Sequence, residues 1–118
     1  MIRGIGVDIV DLARFERQVL RTPGLIPRLF TEAERGLPVH SLAARFAAKE
    51  ALIKALGGSA GTSWQEMDVV TDAHGNPGFV LTGGAAEALT ARGIDTVHLT
   101  MTHDAGVACA FVVTEGAA

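Results

Sequence analysis

Apolar and polar positions divide the chain into recognisable elements. The opening run IRGIGVDIV is rich in β-branched residues and glycine, which predicts a strand over 2–10. Asp11 can cap a helix over 12–21, in which Leu12, Phe15 and Val19 form one apolar stripe before Pro23 and Gly24 end it. In the segment that follows, Thr31 and Glu34 have the Thr-x-x-Glu spacing of a capping box. A second, longer helix is expected over 41–56, with Gly57 and Gly58 stopping it.

The second half reads as mostly strand. MDVVT and GFVLT flank DAHGNP, whose Gly-Asn-Pro supplies a turn, so the three predict a hairpin. GAAEALTARG predicts a short helix closed by Gly93. In TVHLTMTH, Val97, Leu99 and Met101 alternate with polar positions, as a half-buried strand requires. GVACAFVVTE is apolar on both faces, the pattern of a central or interface strand, with HDAG as the loop between the two. There is no internal repeat or linker. The expected fold is α+β: one small domain over 1–118, a mainly antiparallel sheet packed on a long central helix.

That helix lacks an ordinary solvated side. At about 100° per residue, Leu42, Phe46, Ile53 and Leu56 fall on one face, and Ala44, Ala47, Ala48, Ala51 and Ala55 on the other. A surface helix puts charge opposite its apolar stripe. Here Arg45 and Lys49 lie in or beside the bulky arc, with Glu50 and Lys54 on a flank. The alanine face implies close approach to another element. Two readings of the charges stay open on spacing alone. Glu50 and Lys54 can form a solvated i,i+4 pair while Lys49 snorkels, or all four can border a crevice.

Composition narrows the function classes. The chain has 118 residues, a net charge of −3, and hydrophobic residues at 48% against 19% charged. That is a compact protein, and its acidity argues against general nucleic-acid binding. Cys109, alone in an apolar run, reads as a small buried hydrophobe. No apolar stretch reaches the ~20 residues of a membrane span, and no signal-peptide pattern opens the chain, so a cytoplasmic location is expected. His40, His74, His98 and His103 have no zinc-binding spacing, and GIGVDI offers too few glycines for a dinucleotide fingerprint.

The chemistry comes from Asp8, a carboxylate among apolar strand residues, which is costly unless paired or metal-bound. A strand aspartate with Glu50 from a helix is a poor zinc set but suits magnesium, which takes one or two carboxylates alongside water and substrate phosphate. Arg45, Lys49 and Lys54 could then neutralise the same phosphates, and Gly57–Gly58 allow a ligand near the backbone.

On these residues the sequence resembles the holo-acyl-carrier-protein synthases, the short bacterial 4′-phosphopantetheinyl transferases. GIGVDIVDLARF looks like the family's N-terminal motif, LAARFAAKEALIKALG is very close to its central motif, and VHLTMTHDAGVACAFVV resembles its closing block. The resemblance implies a magnesium-dependent transfer of 4′-phosphopantetheine from coenzyme A to a serine of apo acyl carrier protein. Adenosine 3′,5′-bisphosphate would leave, and the product would serve fatty-acid or polyketide synthesis. It implies Asp8 and Glu50 as metal ligands and Lys54 and Lys49 at the pyrophosphate. Arg45, Thr102 and His103 would sit at the coenzyme, around its 3′-phosphate, with Asp104 a candidate proton acceptor. It also implies a homotrimer with sites between protomers. Arg14, Arg17 and Arg21, spaced i, i+3 and i+7, form a basic stripe fit to dock an acidic carrier protein, with Arg28 extending it. Two departures stand out: a short segment over 35–44, and Thr102 where the family usually has serine. A non-catalytic module for an acidic protein or nucleotide, and another magnesium-dependent nucleotide enzyme, are the rival expectations.

Overall fold

The computed structural model describes residues 1–59 and 61–118. Five strands and four helices run in the order β1 (Ile2–Asp11), α1 (Leu12–Arg21), α2 (Leu25–Leu29), α3 (Val39–Leu56), β2 (Met67–Thr71), β3 (Pro77–Leu81), α4 (Gly83–Ala91), β4 (Thr96–Asp104) and β5 (Val107–Glu115). A 3₁₀ turn at Trp64–Glu66 precedes β2. The strands form an antiparallel sheet of order β1-β5-β4 and a separate β2-β3 hairpin. This is the expected α+β architecture, with β5, apolar on both faces, at its centre.

The alanine face of α3 lies on the inner face of the larger sheet, and two glycines of β1 make the approach possible. A Cβ on Gly6 would stand 1.9 Å from the Ala51 carbonyl oxygen, and one on Gly4 would stand 2.1 Å from that of Ala55. Glycine and alanine therefore work as a matched pair: backbone meets backbone where two larger side chains would force the layers apart. The bulky face of α3 turns away from the sheet to meet α1 and α2. There Phe15 is edge-on to Phe30 with centroids 6.2 Å apart, and Phe46 bridges Phe15 and Trp64. Leu42, Leu52, Leu56, Met67 and Val112 complete the core.

Strand alternation gives the sheet an unusual outer face. Ile5, Val7, Ile9 and Phe111 point away from α3 and are 43–62% exposed. Cys109 is half-buried rather than enclosed, and free.

Several boundaries move. Asp11 caps α1 as expected, accepting from the Arg14 amide at 2.8 Å. The box at Thr31 forms only in part: Glu34 Oε1 accepts from the Thr31 amide at 2.9 Å, but the Thr31 hydroxyl donates to Asp68, and turns follow rather than a helix. The complete capping box joins Ser63 and Glu66. The HDAG segment shrinks to a two-residue turn at Ala105–Gly106, both at positive φ, so His103 and Asp104 belong to β4.

Candidate active site

Two carboxylates face each other between β1 and α3. Asp8 lies on the inward side of β1, and Glu50 projects from α3 into the same crevice of about 340 Å³, which Arg14, Gln18 and Phe46 also line. Burial pushes the Glu50 carboxyl above the usual glutamate range, the negative charge of Asp8 pushes it further, and Lys54 opposes both. Lys54 closes one end. Its ammonium donates to Asp8 Oδ1 and to the Val7 carbonyl, each at 2.9 Å, while its side chain stays 52% exposed. It binds across to the strand, so the solvated Glu50–Lys54 helix pair does not form.

Two carboxylates in repulsion beside an open crevice are a fit donor set for a hard divalent cation, which would relieve the repulsion and leave positions for water and phosphate. No group of three or more His, Cys, Asp or Glu side chains capable of holding a metal occurs among the described residues. A protein-only cage of the structural zinc kind is therefore absent from them.

Lys49 takes a different part from the one expected. It is fully buried, pairs with Glu34 Oε1 at 2.6 Å, donates to the Leu29 carbonyl at 2.8 Å, and stands 5.1 Å from the Phe30 ring centroid. Glu34, itself 2% exposed, also accepts from the Thr31 and Val69 amides. Burial pulls the Lys49 ammonium below its usual range, and the Glu34 bond holds against that. Lys49 thus neither snorkels nor reaches the crevice. It fastens α3 to α2 and β2, and, contrary to expectation, its enclosed ammonium is not open to a coenzyme phosphate.

The remaining coenzyme residues gather elsewhere. Arg45, Thr102 and His103 line a second cavity of about 180 Å³ with His40, Ser41 and Met101. The His40 and His103 rings are 5.3 Å apart. The Arg45 Nε is buried and has no hydrogen-bond partner among the described residues. Asp8 sits opposite Ala110, and Ala110 opposite Met101, so His103 is two strands across and two residues along from Asp8. One chain does not bring the halves together. His40 was weighed in the sequence only as a zinc ligand, because a single histidine at a helix start has no spacing to mark it for another role.

Asp104, exposed at the end of β4 beside His103, accepts from the Ala105 amide at 2.9 Å and does not line the carboxylate crevice of its own chain. Gly57 and Gly58 end α3 through N–H bonds to Lys54 and Ile53. A Cβ on either would meet nothing within 4 Å, so their positive φ, not close approach, calls for glycine. Arg14, Arg17 and Arg21 are exposed along α1, and Arg14 reaches the crevice rim. Arg28 borders an adjoining hollow walled by Phe15, Leu25, Phe46 and Trp64.

Comparison with known proteins identifies the family. The model of the 4′-phosphopantetheinyl transferase superfamily matches residues 4–112. A holo-acyl-carrier-protein synthase of Clavibacter sepedonicus is 68% identical over 116 residues, covering 98% of each chain. The crystal structure of the Neisseria meningitidis holo-acyl-carrier-protein synthase superposes with a TM-score of 0.90 at 37% identity, covering 98% of this chain and 99% of that one. The Helicobacter pylori synthase, solved in complex with coenzyme A, gives 0.84 at 32% identity over 94% of this chain and 99% of its own.

Proposed function

The chain belongs to the 4′-phosphopantetheinyl transferase superfamily as an enzyme of the holo-acyl-carrier-protein synthase kind, and we propose that Asp8, Glu50 and Lys54 are its reaction centre. The activity is transfer of 4′-phosphopantetheine from coenzyme A to apo acyl carrier protein. The facing of Asp8 and Glu50 across β1 and α3, with Lys54 bridging to Asp8, carries the assignment.

Asp8 and Glu50 would hold Mg²⁺, which would supply the positive charge that polarises the pyrophosphate and offsets charge on the departing nucleotide. Lys54 keeps Asp8 in place and brings a mobile positive charge to the same phosphates, since half of its side chain is in solvent. The carrier serine attacks the β-phosphate in line and gives up its proton to a water in the open crevice, the pyrophosphate bond breaks, and adenosine 3′,5′-bisphosphate departs. Arg14, Arg17 and Arg21 guide the acidic carrier protein to the crevice, with Arg28 beside it.

The split between the two cavities, together with the exposed Ile5, Val7, Ile9 and Phe111, supports a homotrimer. In it a neighbour's Arg45, Thr102 and His103 complete each site around the coenzyme 3′-phosphate. No helix among the described residues is long and apolar enough to cross a membrane, which is consistent with a cytoplasmic protein supplying fatty-acid or polyketide synthesis. Residues 1–118 make up one transferase domain in each protomer.

Mass spectrometry of apo carrier protein incubated with coenzyme A and Mg²⁺ tests the reading. The carrier gains one phosphopantetheine with the native chain and none with Glu50→Gln. Transfer retained by that variant removes Glu50 from the centre.

A further inference from the structure

The outer face of the β1-β5-β4 sheet holds a charged pair that the transfer reaction leaves unused. Strand register sets this face out in rows: Ile2 and Thr96 flank Glu115, Ile5 and His98 flank Val113, and Val7 and Thr100 flank Phe111. β1 and β5 fill their share of it with apolar side chains, and Ile2 and Ile5, beside the pair, are 63% and 61% exposed. In this field His98 Nε2 meets Glu115 Oε1 at 2.5 Å, with both side chains about half in water.

No neighbouring group can stand in for either partner. Among the described residues no other cation lies within 4 Å of Glu115 and no other carboxylate within 4 Å of His98. The Asp95 carboxylate takes the Thr96 hydroxyl at 2.9 Å, the Met1 ammonium donates to the Gly116 carbonyl at 2.9 Å, and Arg3 donates to the Ala117 carbonyl. The other ionisable side chains of the face lie toward its far end, with Cys109 between Ile9 and Thr102, then Asp11 and Asp104 on either side of Val107. An imidazole changes its charge between about pH 5 and 8, a range in which an ordinary glutamate stays ionised. In a single chain, water screens Glu115 whether or not His98 carries a proton. Once another molecule covers the face, the carboxylate loses that water, and a neutral imidazole leaves its charge uncompensated.

We propose that His98 and Glu115 form a proton-dependent latch in the contact between copies of this chain, closing in mild acid and releasing as pH rises. The proposal rests on the homotrimer reading. The covering molecule is a second copy, because the divided site calls for a neighbour and the apolar face lies between the β1 and β4 edges that carry its two halves. Assembly takes up a proton wherever His98 of the free chain is neutral. The latch therefore contributes fully in mild acid, and its contribution fades with rising pH.

Fluorescence-detected sedimentation of the full-length protein tests the latch, in dilution series at about pH 5.5 and about pH 8.5, near the limits of the imidazole range. The native chain needs about tenfold more protein for half-assembly at the higher pH, the scale of one charge-assisted hydrogen bond. His98→Gln and, separately, Glu115→Gln flatten that dependence. Dilution calorimetry in buffers of different ionisation enthalpy finds proton uptake on assembly for the native chain and little for His98→Gln. Should one variant fail to fold, the other and the native proton count decide. A native half-assembly concentration that does not move with pH overturns the latch and leaves the trimer standing, and so does a native slope kept by either variant. A chain that stays single at every pH overturns the latch and the trimer together. Phosphopantetheine transfer, assayed on the same samples, judges the reaction centre separately.

Discussion

Lys49 and Lys54 are one and a half turns apart on a single helix and have opposite environments. Lys49 is enclosed and held by Glu34, the Leu29 carbonyl and the Phe30 ring. Lys54 is half in water and, among the described residues, hydrogen-bonds to the Asp8 carboxylate and the Val7 carbonyl. The first has its hydrogen-bonding capacity taken up by the protein, with Glu34 offsetting part of the cost of burial. The second has spare hydrogen-bonding capacity and room to move. A buried, saturated ammonium can brace a fold but cannot take up a substrate phosphate, whereas an exposed, partly engaged one can do so at little structural cost. Residue type says nothing of this difference; the surrounding partners decide it.

Breaking the buried pair is the harshest way to test the contrast. Lys49→Ala leaves the Glu34 carboxylate uncompensated, so the unfolding free energy should fall by about 3–5 kcal/mol, measured by denaturant titration. Lys49→Met with Glu34→Gln removes both charges and should recover much of that loss. Failure of the double variant to recover would mean that the surrounding hydrogen bonds, not the charge pair, brace α3.

The crevice responds to pH with the opposite sense to a stabilising pair. Burial and Asp8 raise the proton affinity of Glu50 above its ordinary value of 4.5 in the folded chain. The folded protein therefore holds that proton at pH values where the unfolded chain has lost it. The stability it contributes is full below the ordinary value and lost as pH rises through the raised one. Glu50→Gln carries no charge at any pH. In metal-free buffer it should melt above the native chain at pH 7, and the two melting temperatures should converge in acid. A constant gap across the range would show that charge repulsion is not the cause.

How far the sequence revealed these features depends on how local they are. The helix faces and the β4 alternation follow from periodicity within short windows, and the structure reproduces them, whereas pairing Asp8 with the distant Glu50 rested on the cost of a lone carboxylate in an apolar strand. The alanine face of α3 was legible too, but its partner was not: nothing local in β1 marks Gly4 and Gly6 as the positions that the Ala55 and Ala51 carbonyls approach. The Lys49–Glu34 pair spans fifteen residues and a reversal of the chain, beyond any helical spacing rule. Thr31-x-x-Glu34 looked like a helix start because its pattern is the same one that Ser63-x-x-Glu66 satisfies in full. Only the competing partners Asp68 and Lys49 distinguish them. The separation of His103 from Asp8 needed the strand order, which no local pattern encodes.

A smaller effect concerns the rim. Arg14 is exposed and borders the crevice, so Arg14→Glu should raise the carrier-protein KM by roughly three- to tenfold and that for coenzyme A by less. Equal changes in both would place Arg14 at the coenzyme instead of on the docking face.

The contrast between the two lysines reduces to one rate measurement. Phosphopantetheine transfer is followed in single turnover for Lys54→Met and for Lys49→Met/Glu34→Gln, at a temperature where both are shown to be folded. Lys54→Met should slow transfer by about 100-fold or more, the scale of losing a charge aimed at the reacting phosphate. The double variant should stay within about tenfold of the native chain, since positioning error alone separates it from the centre. A Lys54→Met enzyme at near-native rate beside an inactive double variant would reverse the two roles.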